Sequence, residues 1–504
     1  MKHLLQDKFV VKRLSALTAG GLVPFAYAPF DLFFLVVISL SILFYLWSTT
    51  DSARESFILG YLFGFSMFGI GVNWLHISIN LFGGVNIVGA LTFTYIFIAY
   101  LSLYPALCGY LATRFSKRFY IIVLPSLWLI TEWCRGWFLT GFPWLNIGAS
   151  QTDSILASFA PVFGVYGVSF FVCLLAITLT LLITEFRKYK IISFVLLLLT
   201  TLALVALNNT NWTAKLNKEI DVVLVQGAIT QEQKWLPEKR QQTYTIYSKL
   251  SKPYWSSDLI VWPETAIPSL YHFADDFING ISEQKQNKNA LFMSGLAYQD
   301  PATKKYYNSV LLIDDKHHFY HKHHLVPFGE YLPLKSILGE VLQFLKIPMS
   351  DFSSGDLDQK LFITDKGVFG MSICYEDAYG SEIRNALPDA NILINVSNDA
   401  WFGNSFAPHQ HLQMARMRAI ENGRYLLRST NTGISAIIDN KGNIVSKSPQ
   451  FEPHTLAATV KLFKGETFYS RFGNSPIIII CCFILLLCFV LNPKVTRVKP
   501  QHPV

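Results

Sequence analysis

Charge is scarce in this 504-residue chain: Lys, Arg, Asp and Glu together make up 15% of it, against about 25% in an average soluble protein. With 51% apolar and 15% aromatic residues, the chain has far too much surface to bury to remain disordered, and a fibrous composition is equally excluded. Cysteine is scarce as well. There are seven, none in a paired CxxC pattern, which rules out a disulfide-stapled scaffold and a paired-cysteine zinc site. Internal repeats and low-complexity linkers are also missing. The length suffices for roughly three domains, so the size of the core is not limiting.

What is abundant is the long apolar run. Eight stretches approach the ~20 residues a helix needs to cross a bilayer core. Seven lie near 14–30, 32–48, 57–79, 85–112, 119–137, 157–184 and 191–208, and the eighth is 476–491. Seven successive runs without a long polar segment would leave a soluble protein no exposed face, so a polytopic α-helical membrane domain with eight transmembrane helices is expected. Gly20, Gly21, Pro24 and Pro29 interrupt the first stretch and no clear small-residue cleavage box follows, so it reads as a retained span rather than a signal peptide.

Lys and Arg are retained on the cytoplasmic side of short connections. One face of the expected topology carries fourteen: Lys2, Lys8, Lys12, Arg13, Arg54, Arg114, Lys117, Arg118, Arg187, Lys188, Lys190, Lys494, Arg497 and Lys499. Against them stand only Asp7, Asp51, Glu55 and Glu185, an excess larger than the whole chain's +8. Both termini are therefore expected in the cytoplasm, and the segment between the seventh and eighth spans on the other side. No basic cluster remains in that segment, which removes the case for a nucleic-acid partner. One outward connection, EWCRGWFLTGFPWLNIGAS from Glu132 to Ser150, interleaves Trp133, Trp137, Phe142 and Trp144 with glycines. It suits an interfacial aromatic belt or a lipid-facing ledge, and Glu132 and Arg135, three apart on a helix, are expected to pair.

Residues 211–472 have a different texture. Short strand-like runs at 221–227, 258–262, 290–296, 309–313, 367–374, 391–397, 426–430 and 435–439 alternate with helical stretches such as 238–250 and 410–422, the pattern of an α/β domain with covered sheets. The expected division is a membrane domain over 1–210, a catalytic domain over 211–472, and an eighth helix with a cytoplasmic tail over 473–504.

Cys374 is the single thiol of that α/β segment. An unpaired thiol in an extracytoplasmic domain is either buried and inert or used. GMSICYED ends a strand at Cys374 and continues with Glu376 and Asp377, a strand-to-helix turn whose N-terminal partial charge would favour the thiolate. A nucleophile needs a base and an oxyanion stabiliser. IVWPETAIP sets Glu264 directly after a strand and a proline, where partial burial would tune it as a base. HKHHLVPFGEYLP supplies Lys322, an ammonium able to hold an oxyanion, and Glu330, a second carboxylate to hold the lysine or assist proton transfer.

With WPET, KHHLVPFGE and ICYED in this order, the segment resembles the nitrilase superfamily of carbon-nitrogen hydrolases. With VQGAITQEQKW, VSNDAWFG, EWCRGWFLTGFPW and the flanking spans, the whole chain resembles the apolipoprotein N-acyltransferase family of the bacterial inner membrane. The resemblance implies a periplasmic αββα sandwich with Glu264 as general base, Lys322 as oxyanion stabiliser and Cys374 as nucleophile. Glu330, Tyr375, Glu376, Trp235 and Trp401 carry over as supporting or substrate-contacting residues. It further implies that an acyl chain leaves a phospholipid for Cys374 and then moves to the α-amino group of a diacylglyceryl apolipoprotein. It implies no cofactor and no metal, and a monomer is expected. The histidine run His317, His318, His321, His323 and His324 leaves a metal site or a Cys/His pair as lesser alternatives. A membrane-tethered amidase that passes its acyl group to water is the nearest rival, since it would use the same thioester.

Overall fold

The computed structural model describes residues 2–183, 187–286, 290–331 and 351–492. They fall into two compact units: residues 2–73, 91–183, 187–210 and 472–492 make one, and residues 74–90, 211–286, 290–331 and 351–471 the other.

The first unit is helical, as its apolar runs require: in hydrocarbon only intrahelical bonds satisfy an isolated segment's peptide groups. Among the described residues four helical segments are long and apolar enough to cross a membrane: Phe9–Ala26, Ile87–Ala112, Ile155–Ile183 and Lys190–Asn208. Ala53–Gly71 and Leu75–Leu81 count as a fifth if taken as one broken span. Phe34–Ser48 and Ser475–Val490 are apolar but only 15 and 16 residues long, and the 16-residue Tyr120–Arg135 carries Glu132 and Arg135 near its end. The continuous span expected over 57–79 is therefore interrupted after Gly71, and residues 74–90 group with the α/β unit. Hydropathy could not register the reason. Trp74 donates its indole N–H to Gln410 Oε1 at 3.2 Å, Ser78 donates to the Trp401 carbonyl at 2.6 Å, and Phe82 packs edge-on against Trp401 at 4.8 Å.

Glu132 and Arg135 do pair, at 3.7 Å, both almost fully buried. They also organise the connection after the helix: Arg135 donates to the Phe142 carbonyl and Asn146 Oδ1, each at 2.7 Å, and Glu132 accepts from the Ile147 amide at 2.8 Å. Trp144 is consequently buried, whereas Trp137 is exposed, so the aromatics of this segment do not form a single outward ledge.

The second unit is built on two sheets. The first contains β1 (Ala214–Gln226), β2 (Leu259–Val261), β3 (Ile267–Leu270), β4 (Leu291–Gln299), β5 (Tyr306–Ile313) and β6 (His317–His321). The second contains β7 (Phe362–Ile363), β8 (Val368–Ile373), β9 (Ile392–Ser397), β10 (Leu426–Thr430), β11 (Ala436–Ile438) and β12 (Ile444–Lys447). A last strand, β13 (His454–Lys464), returns to pair antiparallel with β1. The strand orders are β13-β1-β2-β4-β5-β6, with β3 beside β4, and β12-β11-β10-β9-β8-β7.

Period-two alternation decides which face each residue joins. Val222 and Leu224 of β1 meet Ile373, Ile394 and Leu427 in the layer between the sheets, whereas Val223 and Val225 pack outward with Tyr244, Tyr247 and Ile278 of helices Pro237–Ser251 and Asp275–Gln286. Helix Ala407–Asn422 lays Leu412, Ala415 and Ala419 on the outer face of the second sheet. It ends at Gly423, whose φ of 60° suits a residue without Cβ. The result is an αββα sandwich. In each sheet the central strands, β1-β2-β4 and β8-β9-β10, run parallel, and polar side chains gather where such strands end.

Candidate active site

Each site residue comes after a strand. Glu264 lies three residues beyond β2, Lys322 comes directly after β6, and Cys374 directly after β8. The turn carrying Glu264 is tightly confined. Thr265 has φ 47°, and a Cβ on Gly295 of β4 would lie 2.6 Å from Glu264 Cα and 2.4 Å from the Thr265 amide nitrogen, so only glycine lets the turn sit there.

The fold draws Lys322, Glu264 and Glu330 together. Lys322 is 1% exposed; its Nζ is 2.8 Å from Glu330 Oε2 and 3.8 Å from Glu264 Oε1. Asn308 at the start of β5 spans both carboxylates, its amide donating to Glu264 Oε1 at 2.7 Å and Glu330 Oε1 at 2.8 Å. Glu330 is fixed further by the Val326 amide at 2.8 Å. Burial alone would push the Lys322 ammonium down, but Glu330 and Glu264 outweigh it and the net shift is upward. The lysine is thus a permanent cation. Glu264 Oε2 is buried without a hydrogen-bond partner among the described residues.

Cys374 is 7% exposed and has φ 52°, a left-handed conformation that non-glycine residues reach only when surroundings impose it. The chain continues as a five-residue 3-10 turn, Cys374–Ala378, rather than a long α-helix. The expected help from a helix dipole is accordingly small, and the thiol moves the other way: burial pushes it up, the Glu264 charge adds to this, and the Lys322 charge opposes it. A thiolate here therefore depends on a neighbouring base rather than on spontaneous ionisation.

Glu376 ties two strand ends together. Its carboxylate accepts from the amides of Ile373 at 2.6 Å, His323 at 2.6 Å and His324 at 3.1 Å, and from the Tyr320 hydroxyl at 3.0 Å. Burial pushes it up to about 7, against the pull of the Ile373 amide. Tyr375 is buried and its hydroxyl accepts from Tyr379 at 3.0 Å. Trp235 and Trp401 are half-buried. The histidine run disperses: His317 meets Tyr271, His318 meets Asp314, His321 meets Ser309, His323 meets the Gly355 carbonyl and His324 meets Glu382. Among the described residues no group of three His, Cys, Asp or Glu could hold a metal.

Behind Cys374 lies a buried ionic cluster that motif reading missed. His411 Nε2 is 2.7 Å from Asp377 Oδ1 and 3.2 Å from the Cys374 carbonyl, and its Nδ1 is 2.9 Å from Asp399 Oδ1. Arg428 Nη1 donates to Asp377 Oδ2 at 2.9 Å and Nη2 to Asp399 Oδ2 at 3.1 Å. The arginine inside the apolar strand LLRST was the available signal, because a charge there must find partners. Burial and Arg428 push His411 down, Asp377 and Asp399 push it up, and it ends near 9. A folded value above the ordinary 6.5 means its contribution to stability is complete below about pH 6.5 and fades as pH climbs through about 9, at most about 3 kcal/mol. Denaturant unfolding at neutral pH and again above pH 9 should show this loss, and His411→Gln should flatten it; an unchanged slope would remove the imidazolium from the cluster.

The carbon-nitrogen hydrolase family model matches residues 222–466, and that of the apolipoprotein N-acyltransferase N-terminal domain matches residues 19–178. The chain is 41% identical over 484 residues to the apolipoprotein N-acyltransferase of Methylococcus capsulatus, covering 94% of this chain and 95% of that one. It is 38% identical over 481 residues to the apolipoprotein N-acyltransferase of Nitrosomonas europaea, covering 94% and 96%. The crystal structure of a carbon-nitrogen hydrolase from Helicobacter pylori superposes with a TM-score of 0.36 at 17% identity, covering 52% of this chain and 94% of that one.

Proposed function

The chain belongs to the apolipoprotein N-acyltransferase family, and from that premise we propose that Cys374, Glu264 and Lys322 carry its acyl transfer to lipoproteins. It is an acyltransferase with the α/β unit of a carbon-nitrogen hydrolase. The observation that carries the residue assignment is the convergence of Lys322 on Glu264 and Glu330 beside a thiol that feels both the Glu264 and the Lys322 charge.

Glu264 takes the Cys374 proton as the sulfur attacks the sn-1 ester carbonyl of a phospholipid, typically phosphatidylethanolamine. Lys322 and the backbone amide at Tyr375 hold the oxyanion. Glu264 returns the proton to the departing alkoxide, lysophospholipid leaves, and a thioester remains. The α-amino group of an S-diacylglyceryl cysteine at the N-terminus of an apolipoprotein then attacks. Its proton passes to Glu264 and on to the released sulfur, giving the triacylated product. Glu330 and Glu376 position the lysine and the turn, and Trp235 and Trp401 contact substrate. The burial of Glu264, Lys322 and Cys374 supports a water-poor centre, where aminolysis outruns hydrolysis. No cofactor or metal enters any step.

Both substrates are lipids, and a site held at a membrane surface avoids drawing their chains into water. We place the enzyme in the bacterial inner membrane as a monomer with eight crossings, both termini cytoplasmic and the α/β unit periplasmic. The support is the basic excess on one face, four full-length apolar segments, and the shorter or broken ones that make up the remainder.

The test is a supply of phosphatidylethanolamine labelled in its sn-1 chain, with and without a diacylglyceryl peptide. Label should pass to the peptide amine with little free fatty acid. Release of the label mainly as fatty acid in the presence of the peptide would instead mark a tethered hydrolase.

A further inference from the structure

Lys234 closes the short helix Gln231–Lys234, directly before Trp235, and is 2% exposed. A buried ammonium is costly unless acceptors and opposite charges surround it. Lys234 Nζ donates to the Glu264 carbonyl oxygen at 2.9 Å, and its charge is felt by the Glu264 carboxylate and the Cys374 thiol. The carbonyl it holds belongs to the turn that continues into left-handed Thr265 and rests on Gly295. That turn aims the carboxylate.

The charge count gives Lys234 a second use. The centre holds the Glu264 and Glu330 carboxylates and one ammonium from Lys322. Glu376, which also acts on Lys322, adds a third carboxylate, so Lys234 is the second ammonium among three acids, and without it the buried Glu264 would take up a proton more readily. A protonated Glu264 cannot accept the thiol proton. Burial pushes the Lys234 ammonium down to about 8, against Glu264 and Cys374, so it is charged at neutral pH.

We propose that Lys234 is a positioning residue of the acyl-transfer centre, fixing the Glu264 turn and supplying the positive charge that keeps the Glu264 carboxylate ionised until it takes the thiol proton. Lys234 itself neither gains nor loses a proton in the cycle. The other charged groups facing the centre are accounted for. Lys322 and Glu330 lie on the Glu264 side, Glu376 acts on Lys322 from the turn after Cys374, and Asp399 and Arg428 act on Cys374 from behind with His411 against its carbonyl. The cluster behind is bridged within itself, which leaves Lys322 and Lys234, among the described residues, as the cations that act on Glu264.

The inference rests on the acyl-transfer reading and is tested on the full chain in lipid nanodiscs of phosphatidylethanolamine. The rate at which Cys374 gains acyl mass is measured against pH. Lys234→Gln keeps a donor for the Glu264 carbonyl but removes the charge, and its acid limb should move up by about one pH unit. Lys234→Arg keeps the charge and should retain the wild-type limb. A Gln variant that is slower at every pH with an unmoved limb would reduce Lys234 to a structural contact and overturn the proposal. If thermal unfolding shows that the Gln variant does not fold, the Arg variant decides: an unmoved limb supports the proposal and a shifted one overturns it. Wild-type Cys374 that gains no acyl mass at any pH would defeat the acyl-transfer reading itself, and this inference with it; acylated wild type beside an unshifted Gln variant defeats only the role of Lys234.

Discussion

Replacing Cys374 with alanine should abolish N-acylation, a fall of at least about 10³-fold, because no other group can form the thioester. The side chain is small and packs with Ile373 and Ile394 between the sheets, so removing one sulfur should cost only about 1 kcal/mol of stability. The variant should therefore still fold. Lysophospholipid release and product formation are measured together on the same purified protein, and both should vanish. Near-normal N-acylation by the alanine variant would remove the sulfur from the reaction.

Glu264→Gln should slow thioester formation by about 10²- to 10⁴-fold, the range expected for loss of a positioned general base. The substitution preserves volume, and its amide oxygen can still accept from Asn308, which donates to Glu264 Oε1 at 2.7 Å in the native protein. What disappears is the ability to take a proton, together with one of the two carboxylates near Lys322. The first-turnover burst of lysophospholipid is the readout, since it isolates the first half-reaction from capture by the amine. A burst of normal rate and amplitude would place the base elsewhere.

These expectations depend on groups that differ in how visible they are along the chain. The central parallel strands are buried on both faces and therefore stand out as continuous apolar runs; the runs at 221–227, 367–374 and 391–397 fall on β1, β8 and β9. β13 was not distinguishable because it lies at the sheet edge with only some of its residues buried, and a half-wet strand lacks that signature. The broken helix after Gly71 was hidden for a related reason. Hydropathy measures transfer of each residue, whereas the break arises from the specific contacts of Trp74, Ser78 and Phe82 with Gln410 and Trp401.

Within the candidate site, Glu264, Lys322, Glu330 and Cys374 could be singled out because each is a reactive type set at the end of an apolar run. Asn308, Lys234 and His411 could not. Asn308 is an uncharged amide whose importance lies in bridging two distant carboxylates. Lys234 sits in a polar stretch where an exposed lysine is the default. His411 lies on the helix Ala407–Asn422, where nothing in the spacing says that it turns toward Asp377 and Asp399. The thiol's environment was also beyond reach: burial and then the Glu264 charge push it up, and the chain continues as a short 3-10 turn in place of the extended helix that would have opposed them.

Intact-protein and peptide mass spectrometry of the purified enzyme after exposure to phospholipid alone, with no amine acceptor present, is the decisive measurement. Cys374 should carry one added fatty acyl group, lost again when a diacylglyceryl peptide is supplied. An unmodified Cys374 in a preparation that nonetheless acylates the peptide would contradict the thioester mechanism.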